Sequence, residues 1–542
     1  MNRSKFYPSV YCNPSDIISK CNRIYICALS EAREILKGRI KLLRTEPFVF
    51  SKKLNWLVDP VTKRKWRLFR GRPYLFAQKQ YQDLKHNCEL NRQQHLIVLG
   101  KVCFFSGDKT YETEIYSQIR SWIKSNPYRK TINWLSPLES SIRIISWLWA
   151  IYLVACGRID HLKQNDYRAI IESIYEQTIH IEKNLQQREY PNNHLIGEAA
   201  TLVIVGIMCP QFSEAGNWLD KGLDILGTQI NNQVFSDGVD KEQALDYHRF
   251  VLDFYTHIVI LCDRNNVSLH HQLLQRLEKM YEALLYMVRP DGFGPMIGDD
   301  DNGRVATLSS ESGRFLLSAL STGAVLFKRG DFKFAAREFH EESLWLLGLD
   351  GYREFQEIEP EKPHSTSFYF PDTGLFVMRS EGDRESHYMS FDCGPQGMGT
   401  GGHSHSDTLS FELSAFGVPI MIDPGTFVYN GSSRWRDYFR GTSAHNTVVV
   451  DGLNQSEYIE PYDNFGWSKK ADCKTTACFS DEEFDFIGGY HDGYKRLSDP
   501  VRHFRSVLFV KNEYWLITDI LDGQGEHCLE WPLHFVQDIT IQ

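Results

Sequence analysis

The hydrophobic period of the chain changes once, near Pro363, and this change restricts the folds that the chain can adopt. Up to that point, apolar residues recur at helical spacing in long segments separated by short polar connections. Beyond it, short segments rich in aromatic and β-branched residues alternate with Gly and Asp turns. Helices followed by strands predict two segregated domains, with a binding site between them.

Some of the predicted helices are apolar on more than one face. Residues 142–151 are the clearest example, and a helix of this kind lies inside an array of helices and not on its surface. Short connections between such helices predict a helical bundle or an (α/α) toroid. The predicted helices cover residues 89–105, 111–125, 137–156, 167–186, 194–208, 217–233, 241–264 and 269–288.

The part after Pro363 predicts an antiparallel β-sandwich. A turn at Lys511 and Asn512 joins two of its strands into a hairpin. We therefore divide the chain into a mixed N-terminal segment (1–80), a helical domain (81–365) and a sandwich (366–542) that we expect to be short at its C-terminus. The predicted strands include residues 367–370, 374–378, 387–391, 446–450, 505–510 and 514–518.

The net charge of −9 gives no electrostatic basis for binding nucleic acid. An anionic substrate would therefore need a local basic surface. Two such surfaces are candidates. One consists of residues 63–67 with Arg70 and Arg72, and the other consists of Arg434, Arg436 and Arg440.

The cysteines and the apolar segments indicate the cellular context. The 12 cysteines include no CxxC pair, which is typical of reduced thiols. The first residues lack the apolar segment of a signal peptide, and the longest apolar runs are too short to cross a bilayer. These patterns predict a cytoplasmic protein without a transmembrane segment; periplasmic or cell-surface association is the alternative. The oligomeric state is left open.

Three histidines and one aspartate make a candidate metal site. On an extended segment alternate side chains face the same way, so His403 and His405 can point into one space. Asp423 ends an apolar strand and His445 lies on a later loop. Imidazole and carboxylate ligands suit a zinc-like ion. The alternative is that His405 and Asp423 form a buried hydrogen-bonded pair without metal.

Two clusters in the helical part could carry chemistry. Asn193 and His194 follow a proline at the start of a helix, where an asparagine can instead be an N-cap. Tyr247, His248 and Arg249 are consecutive on a helix, so we expect that they cannot all be core residues. The alternative places Tyr247 in the core and its two neighbours in solvent. The acidic loop 298–304 lacks the spacing of an EF-hand, which makes calcium a minor alternative.

An ordered set of short motifs between residues 89 and 447 resembles the heparinase II/III-like polysaccharide lyase family of bacteria. The resemblance implies an (α/α) toroid followed by an antiparallel β-sandwich. The matching pieces are residues 89–92, Trp134 with Glu139 and Arg143, 192–194, Glu242 and Gln243 with 247–249, 298–300, 403–407, 423–425 and 445–447.

The resemblance also implies roles for individual residues. Asn193 resembles the family's neutraliser of the substrate carboxylate, with His194 as a second candidate, and Tyr247 and His403 resemble the catalytic tyrosine and histidine. The implied ligands of a structural divalent metal, of the zinc type, are His405, Asp423 and His445. The implied substrate-binding residues are Glu139, Arg143, His248, Arg249, Arg434, Arg436 and Arg440.

The activity implied by the resemblance is β-elimination on a uronate-containing polysaccharide. A donor neutralises the uronate carboxylate while a tyrosine and a histidine transfer protons. The expected partner is an anionic polymer, either a bacterial capsule or exopolysaccharide or a glycosaminoglycan. One alternative is a non-catalytic polysaccharide-binding or assembly protein. The other is a glycoside hydrolase, which needs two carboxylates across the cleft, from Asp237, Asp240, Glu242 and Asp299.

Overall fold

The fold comes from a computed structural model of the chain. The described residues are 5–20, 22–43, 46–50, 54–66, 84–156, 164–429, 432–459, 465–537 and 539. The basic candidates Arg67, Arg70 and Arg72 lie outside the described residues.

The described part of the N-terminal segment belongs to the core of the helical domain. It contains α1 (Pro14–Lys20), α2 (Asn22–Leu36) and a hairpin of β1 (Arg39–Ile40) and β2 (Phe48–Val49). The rings of Phe6 and Tyr152 stack with centroids 4.2 Å apart, and those of Tyr7 and Trp149 stack at 4.4 Å. The N-terminal segment is therefore anchored by aromatic packing to the helix that carries Trp149 and Tyr152, Pro137–Ala155, and shares its core.

The helical part of the chain continues from Lys85 to Glu357. Its helices are α3 (Lys85–Arg92), α4 (His95–Ser106), α5 (Lys109–Ser125), α6 (Pro137–Ala155), α7 (Gln164–Lys183), α8 (Asn193–Met208), α9 (Ala215–Gln233), α10 (Leu245–Arg264), α11 (His271–Met287), α12 (Leu317–Phe327), α13 (Gly330–Ala336) and α14 (Glu341–Glu357).

Inner and outer helices alternate along this part of the chain. Helices α6, α8 and α10 are buried on almost every face, whereas α5, α9 and α11 bury one face each. This alternation is the arrangement of an (α/α) toroid, and it agrees with the prediction from residues 142–151. Helix α6 is long and apolar enough to span a membrane by length and composition alone. However, 83% of its apolar window is buried inside the protein, as the core position of α6 requires.

Two of the predicted helix boundaries are wrong. The predicted helix 89–105 is divided into α3 and α4, because Gln93 adopts a left-handed conformation with φ of 56°. Residues 241–244 lie before the start of α10, and Gln243 also has a positive φ, of 52°. In both places the turn lies in a short run of polar residues, 91–95 and 240–243, which periodicity does not distinguish from the polar face of a helix.

The sandwich is built from two antiparallel sheets. The first sheet has the order β3 to β7, with β3 (Phe368–Phe370), β4 (Leu375–Arg379), β5 (Tyr388–Asp392), β6 (Phe411–Ala415) and β7 (Val418–Met421). The second has the order β11 to β14, with β11 (Cys473–Ser480), β12 (Phe484–His491), β13 (Arg502–Val510) and β14 (Tyr514–Asp522). Shorter strands are β8 (Val449–Val450), β9 (Glu457–Tyr458), β10 (Trp467–Lys469) and β15 (Leu529–Glu530), and α15 (Ser433–Arg440) lies between β7 and β8.

The apolar faces of the two sheets share one core. Phe376 and Phe391 of the first sheet pack in the same cluster as Val507 and Phe509 of the second. Strands β13 and β14 pair as the predicted hairpin, with Val510 opposite Tyr514. The predicted fold class, a toroid followed by an antiparallel sandwich, is therefore confirmed. The predicted domain boundary at 365/366 falls between the end of α14 and the start of β3.

Buried polar contacts join the two domains. Arg289, which follows α11, donates to Glu412 in β6 at 3.0 Å. The hydroxyl of Tyr388 in β5 donates to the carbonyl of Met287 at 2.9 Å. Because such contacts are buried and directional, they fix how the sandwich faces the open end of the inner helices.

Candidate active site

A cleft of about 610 Å³ lies at the junction of the two domains. Its walls come from the start of α3, from α6, from the connection before α8, from α10 and from three loops of the sandwich. Residues that line it include Lys85, Arg92, Glu139, Arg188, Tyr190, Asn193, His194, Glu242, Tyr247, Asp301, His403, Tyr429 and Phe465. The predicted catalytic residues Asn193, His194, Tyr247 and His403 are thus brought together.

Asn193 is held in place at the first turn of α8. The N-cap is Asn192, whose side chain accepts from the backbone N–H of His194 at 3.2 Å. The N-cap alternative therefore applies to Asn192, and the side chain of Asn193 is free for another role. Both the amide Nδ2 and the backbone N–H of Asn193 donate to Oε1 of Glu242, at 2.8 and 2.9 Å. Glu242 thereby orients the carboxamide at the cleft wall.

His194 is a neutral neighbour of Asn193. Its Nδ1 contacts the side-chain amide of Gln186 at 3.0 Å. Burial lowers the pKa of His194 to about 4. The imidazole is therefore uncharged near neutral pH and can act only as a neutral hydrogen-bonding group.

Tyr247 and His403 form a stacked pair, although one comes from α10 and the other from the sandwich. Their ring centroids lie 3.7 Å apart with an interplanar angle of 18°. The Tyr247 hydroxyl donates to Oδ2 of Asp301 at 3.1 Å and lies 3.1 Å from the hydroxyl of Tyr429. Burial, and then the charge of Asp301, raises the pKa of Tyr247 well above its ordinary value. Tyr247 is therefore a protonated phenol in this cleft.

Asp299, which lies between two helices of the helical domain, contacts three side chains of the sandwich. It is fully buried, and its carboxylate accepts from Nδ1 of His403 at 3.0 Å and from Nε2 of His405 at 2.9 Å. Arg436 donates to both of its oxygens, one of them at 2.7 Å. Burial alone would raise the pKa of Asp299, but Arg436 and the two histidines hold it well below its ordinary value.

This contact determines the tautomer of His403. An ionised carboxylate can only accept hydrogen bonds, so Nδ1 of His403 must carry the proton that it shares with Asp299. Nε2 of His403 is then left as the basic nitrogen. It lies 3.7 Å from Oε2 of Glu242, on the side of the cleft.

Two ion pairs stiffen the opposite wall of the cleft. Lys85 lies 2.5 Å from Oδ2 of Asp301, and Arg92 donates to both oxygens of Glu139, at 2.7 and 2.8 Å. Burial opposes ionisation of Glu139, but Arg92 lowers its pKa. Glu139 is therefore a charged, fully engaged side chain at the cleft wall.

His405, Asp423 and His445 form a buried group that could hold a metal ion. One ligand atom from each lies within 4.8 Å of the others. Nδ1 of His405 and Nε2 of His445 are buried without a hydrogen-bond partner among the described residues. Two unsatisfied imidazole nitrogens beside a carboxylate are the donor set of a divalent metal. The hydrogen bond from Nε2 of His405 to Asp299 would orient that ligand from behind.

The alternative pairing of His405 with Asp423 is not found. Asp423 instead accepts from Nδ1 of His445 at 2.5 Å. The prediction that His403 and His405 face one space is also wrong, because residues 401–403 form a turn. His403 faces the cleft and His405 faces the metal-type group, and the two share only Asp299.

The structure also corrects the predicted role of Arg143 as a substrate-binding residue. Arg143 is completely buried and donates to Gln177 at 2.8 Å and to the carbonyl of Asn91 at 3.2 Å. Its guanidinium lies 4.0 Å from the ring of Trp122. Arg143 lies one turn beyond Glu139 on α6, where its partners are core groups, and it is not part of the cleft lining.

His248 and Arg249 are likewise core residues. His248 contacts the carbonyl of Met280 at 3.2 Å, and Arg249 pairs with Asp253 at 2.9 Å and with Glu342 at 2.7 Å. The expectation that three consecutive residues cannot all be buried is wrong here. On an inner helix every direction meets protein, and the polar groups find partners there.

The predicted arginine surface of α15 does not face the cleft either. Arg436 and Arg440 are both buried. Arg436 forms an ion pair with Asp299, and Arg440 forms one with Asp437 at 3.0 Å. Arg434 is exposed, and its guanidinium lies 5.8 Å from the ring of Trp435, outside the cleft lining. Of the predicted substrate-binding residues, all of which lie in the described part of the chain, Glu139 alone lines the cleft.

Lys85 and Asp301 were missed as members of the site, whereas Glu242 and Asp299 were named as motif pieces and as carboxylates for hydrolysis but not as partners of the catalytic side chains. Asp299, Asp301, Lys85 and Glu242 all contact a predicted catalytic side chain or its partner. The acidic loop 298–304 was the available signal, but its carboxylates do not cluster as calcium ligands would. Each faces a cation instead: Asp299 faces Arg436, Asp300 lies 3.0 Å from Arg314 and Asp301 faces Lys85.

Two family models match most of the chain. The model described as heparinase II/III N-terminus matches residues 36–316, and the one described as heparinase II/III-like, C-terminal, matches residues 362–542. The heparin-sulfate lyase of Bacteroides stercoris is 25% identical over 475 residues, which are 82% of this chain and 63% of that protein. The heparin-sulfate lyase of Pedobacter heparinus is 23% identical over 501 residues, 90% of this chain and 65% of that protein. The chain thus spans less than two thirds of the length of these relatives.

Solved structures share the architecture. A crystal structure of heparinase III has a TM-score of 0.68 at 20% identity and covers 92% of this chain and 71% of that one. The heparan sulfate lyase from Pedobacter heparinus has a TM-score of 0.56 at 22% identity, over 93% of this chain and 70% of that one. At these identities the likeness concerns the fold, and it agrees with the toroid and sandwich described above.

Proposed function

The chain belongs to the heparinase II/III-like family, and from that membership we propose that it is a polysaccharide lyase that cleaves a uronate-containing polymer by β-elimination. The observation that carries the proposal is the stacked pair of Tyr247 and His403, which shares one cleft with Asn193. A phenol, an imidazole with a free Nε2 and a carboxamide are the groups that elimination on a uronate requires.

Asn193 is suited to neutralise the substrate carboxylate. Removal of the C5 proton of a uronate places negative charge on its carboxyl group, which a donor must stabilise. Asn193 is the first residue of α8, so its amide donors lie at the positive end of a helix. Glu242 holds the carboxamide in place before substrate binds. The positive helix end and the fixed amide would together favour the charge that develops during elimination.

We assign one of the two proton transfers to each member of the stacked pair. Nε2 of His403 can take the C5 proton, because Nδ1 is committed to Asp299. The phenol of Tyr247 can give its proton to the C4 oxygen as that bond breaks, leaving a C4–C5 double bond. His403 then carries one proton more and Tyr247 one fewer, and a net proton transfer between them restores both residues.

The arrangement is less suited to hydrolysis. Of the four carboxylates considered for that reaction, Glu242 lines the cleft, whereas Asp240 and Asp299 are buried and Asp237 binds the turn at Asp372 and Thr373. A hydrolase also needs a carboxylic acid with a raised pKa. Glu139 in the cleft has a lowered pKa because of Arg92. These contacts favour elimination over hydrolysis.

Elimination is tested by ultraviolet absorbance of the new C4–C5 double bond over a panel of polymers. Heparan sulfate comes first, because the relatives are named heparin-sulfate lyases. Other glycosaminoglycans and uronate-containing bacterial capsular polysaccharides complete the panel. We expect absorbance to rise together with new reducing ends. New reducing ends without absorbance would indicate hydrolysis, and binding without either signal would indicate a non-catalytic polysaccharide-binding protein.

Asn193→Ala is expected to lower kcat by about 10²–10³-fold, because a donor to the developing charge is lost. Asn192→Ala is the matched control on the preceding residue. It removes the N-cap bond and should cost roughly 1 kcal/mol of stability, with a much smaller effect on kcat. Steady-state kinetics and thermal unfolding of both variants check this pair. Equal losses of kcat in the two variants would contradict the role of Asn193.

We also propose that the group of His405, Asp423 and His445 binds Zn²⁺ in a structural role. Two imidazoles and a carboxylate match the ligand preference of zinc. The group is buried on the side of Asp299 away from the cleft lining, so its effect on the reaction would be to hold the loop that carries His403. The ion would thus act on the shape of the site and not on the substrate.

Removal of this metal by a chelator is expected to lower the thermal midpoint, with recovery on adding Zn²⁺. Elemental analysis should give about one ion per chain, and His445→Ala should lose it. His491→Ala is the control, because His491 is also buried but contacts His503 at 3.2 Å in the sandwich. That control should lose stability while keeping the metal. Unchanged metal content and midpoint in His445→Ala would remove the proposed site.

A further inference from the structure

Lys85 and Asp301 form an ion pair inside the cleft that no step above uses. We infer that Asp301 and Lys85 position the Tyr247 hydroxyl and keep its proton in place until the leaving oxygen takes it. The catalytic consequence rests on the proposed elimination, but the effect on Tyr247 itself does not. Both residues act through Tyr247, so they are positioning residues.

A single oxygen joins the three side chains. Oδ2 of Asp301 accepts from the Tyr247 hydroxyl at 3.1 Å and from Nζ of Lys85 at 2.5 Å. The other oxygen of Asp301 accepts from the backbone N–H of Gly303 at 2.8 Å. The carboxylate therefore cannot rotate away from Tyr247 without breaking contacts at both oxygens.

The support of Asp301 comes from distant parts of the chain. Lys85 is the first residue of α3 and also lies 3.2 Å from Glu89. The backbone N–H of Asp301 donates to Asp246 at 3.2 Å, and Asp246 is on the same helix as Tyr247. The side chains of Lys85 and Asp301 are 14% and 11% exposed, so water screens the pair only weakly. The pair thus links three elements around one hydroxyl.

The charges that face Tyr247 are of both signs. Asp301 is the charged group that hydrogen-bonds the hydroxyl, and the rings of His403 and Tyr429 also contact Tyr247. A negative charge at Asp301 disfavours a phenolate, whereas Lys85 without Asp301 would favour one. The anions around Tyr247 are Asp299, Asp301 and Glu242, and the cations are Lys85 and Arg436.

This arrangement suits a proton donor. Before the reaction, Asp301 keeps the proton on Tyr247, and Lys85 keeps Asp301 ionised. After donation, a phenolate would face the carboxylate at hydrogen-bond distance, so reprotonation is strongly favoured. The same repulsion makes Tyr247 a poor base, which leaves removal of the C5 proton to His403.

The test measures ionisation of Tyr247 in the free protein. Tyrosine is labelled with ¹³C at Cζ, and the Tyr247 resonance is identified by its absence in Tyr247→Phe. We expect Tyr247 to stay protonated up to the alkaline limit of folding in the unaltered protein. In Asp301→Asn the acid dissociation constant of Tyr247 should rise at least tenfold, because the carboxylate charge at the hydroxyl is gone while Lys85 remains. Lys85→Met with Asp301→Asn should reverse most of that change.

Asp300→Asn is the matched control, since it makes the same change one residue earlier, at a carboxylate that faces Arg314. Its Tyr247 resonance should titrate as in the unaltered protein. An Asp301→Asn protein whose Tyr247 keeps the unaltered titration would overturn the inference. If Asp301→Asn fails to fold, the titration of Tyr247 in the single variant Lys85→Met is the test. A Tyr247 that ionises more readily in Lys85→Met than in the unaltered protein would overturn the inference.

Kinetics separate this inference from the proposed function. On a polymer that the protein cleaves, Asp301→Asn should lower kcat at least tenfold while KM stays within threefold. Loss of stability alone would change neither the titration nor this division between kcat and KM. Cleavage with an unchanged titration sinks the inference and leaves the proposed function standing. A shifted titration without cleavage of any polymer supports the inference on Tyr247 and contradicts the proposed function.

Discussion

Tyr247→Phe is expected to lower kcat by about 10²–10⁴-fold, the range typical of a lost general acid, while the protein stays folded. The ring remains, so stacking on His403 at a centroid distance of 3.7 Å can persist. The variant loses the hydroxyl that contacts Asp301 and Tyr429, and with it the proton for the leaving oxygen. Ultraviolet absorbance of the unsaturated product measures kcat, and thermal unfolding checks the fold.

Tyr429→Phe is the control for that experiment. It removes the neighbouring hydroxyl, 3.1 Å from that of Tyr247, and leaves the Tyr247 proton and the Asp301 contact in place. We expect a loss of kcat of less than about tenfold, because no proton transfer is removed. Full activity in Tyr247→Phe, or equal losses in the two variants, would show that the hydroxyl of Tyr247 is not the acid.

Asp299→Asn is expected to damage stability and activity together. The carboxylate is completely buried and accepts from Arg436, His403 and His405. An amide has one accepting oxygen, and its NH₂ group would face donors, so the buried ion pair between Asp299 and Arg436 is broken. Breaking a buried ion pair in this way costs about 3–5 kcal/mol. The loss appears as a lower midpoint in thermal or denaturant unfolding.

The same variant is expected to lose about 10²–10⁴ in kcat, because the proton on Nδ1 of His403 is no longer fixed and the basic Nε2 is no longer guaranteed. Asp437→Asn is the control. Asp437 pairs with Arg440 of the same helix, but its side chain is 34% exposed. We expect a stability change below about 1 kcal/mol there and little change in kcat. If Asp299→Asn unfolded like the control, Asp299 would not be the link between the domains that the structure indicates.

Much of the fold could be predicted from the sequence, because the type of each helix or strand is encoded by residues that are neighbours in the chain. A helix such as α6 or a hairpin such as β13–β14 shows its period within a short window, so element type can be read from neighbouring residues. The boundary at Gln93 could not be read in this way, because a left-handed residue in a short polar run between two helices leaves no change of period.

The site was only partly accessible. The residues that carry chemistry by type, such as Asn193, Tyr247 and His403, could be named and lie together. The predicted arginines failed because charge predicts a solvated or substrate-facing side chain, whereas Arg143 and Arg249 are satisfied inside the core. The supporting carboxylates were missed because their partners are distant in sequence. Asp299 and Arg436 are 137 residues apart, and Lys85 and Asp301 are 216 apart.

The sequence by itself therefore determined the order of the two domains and the change from helix to sheet, since these depend on local period, while its resemblance to a known family supplied the candidate catalytic side chains. Only the tertiary structure decided which charged side chains face the cleft, which nitrogen of His403 is basic and which carboxylate holds Tyr247. These properties depend on burial on all sides and on partners that lie between 54 and 137 residues away in the sequence. The packing of the inner helices against the sandwich determines both this burial and these partners. That packing cannot be read from a short window of sequence.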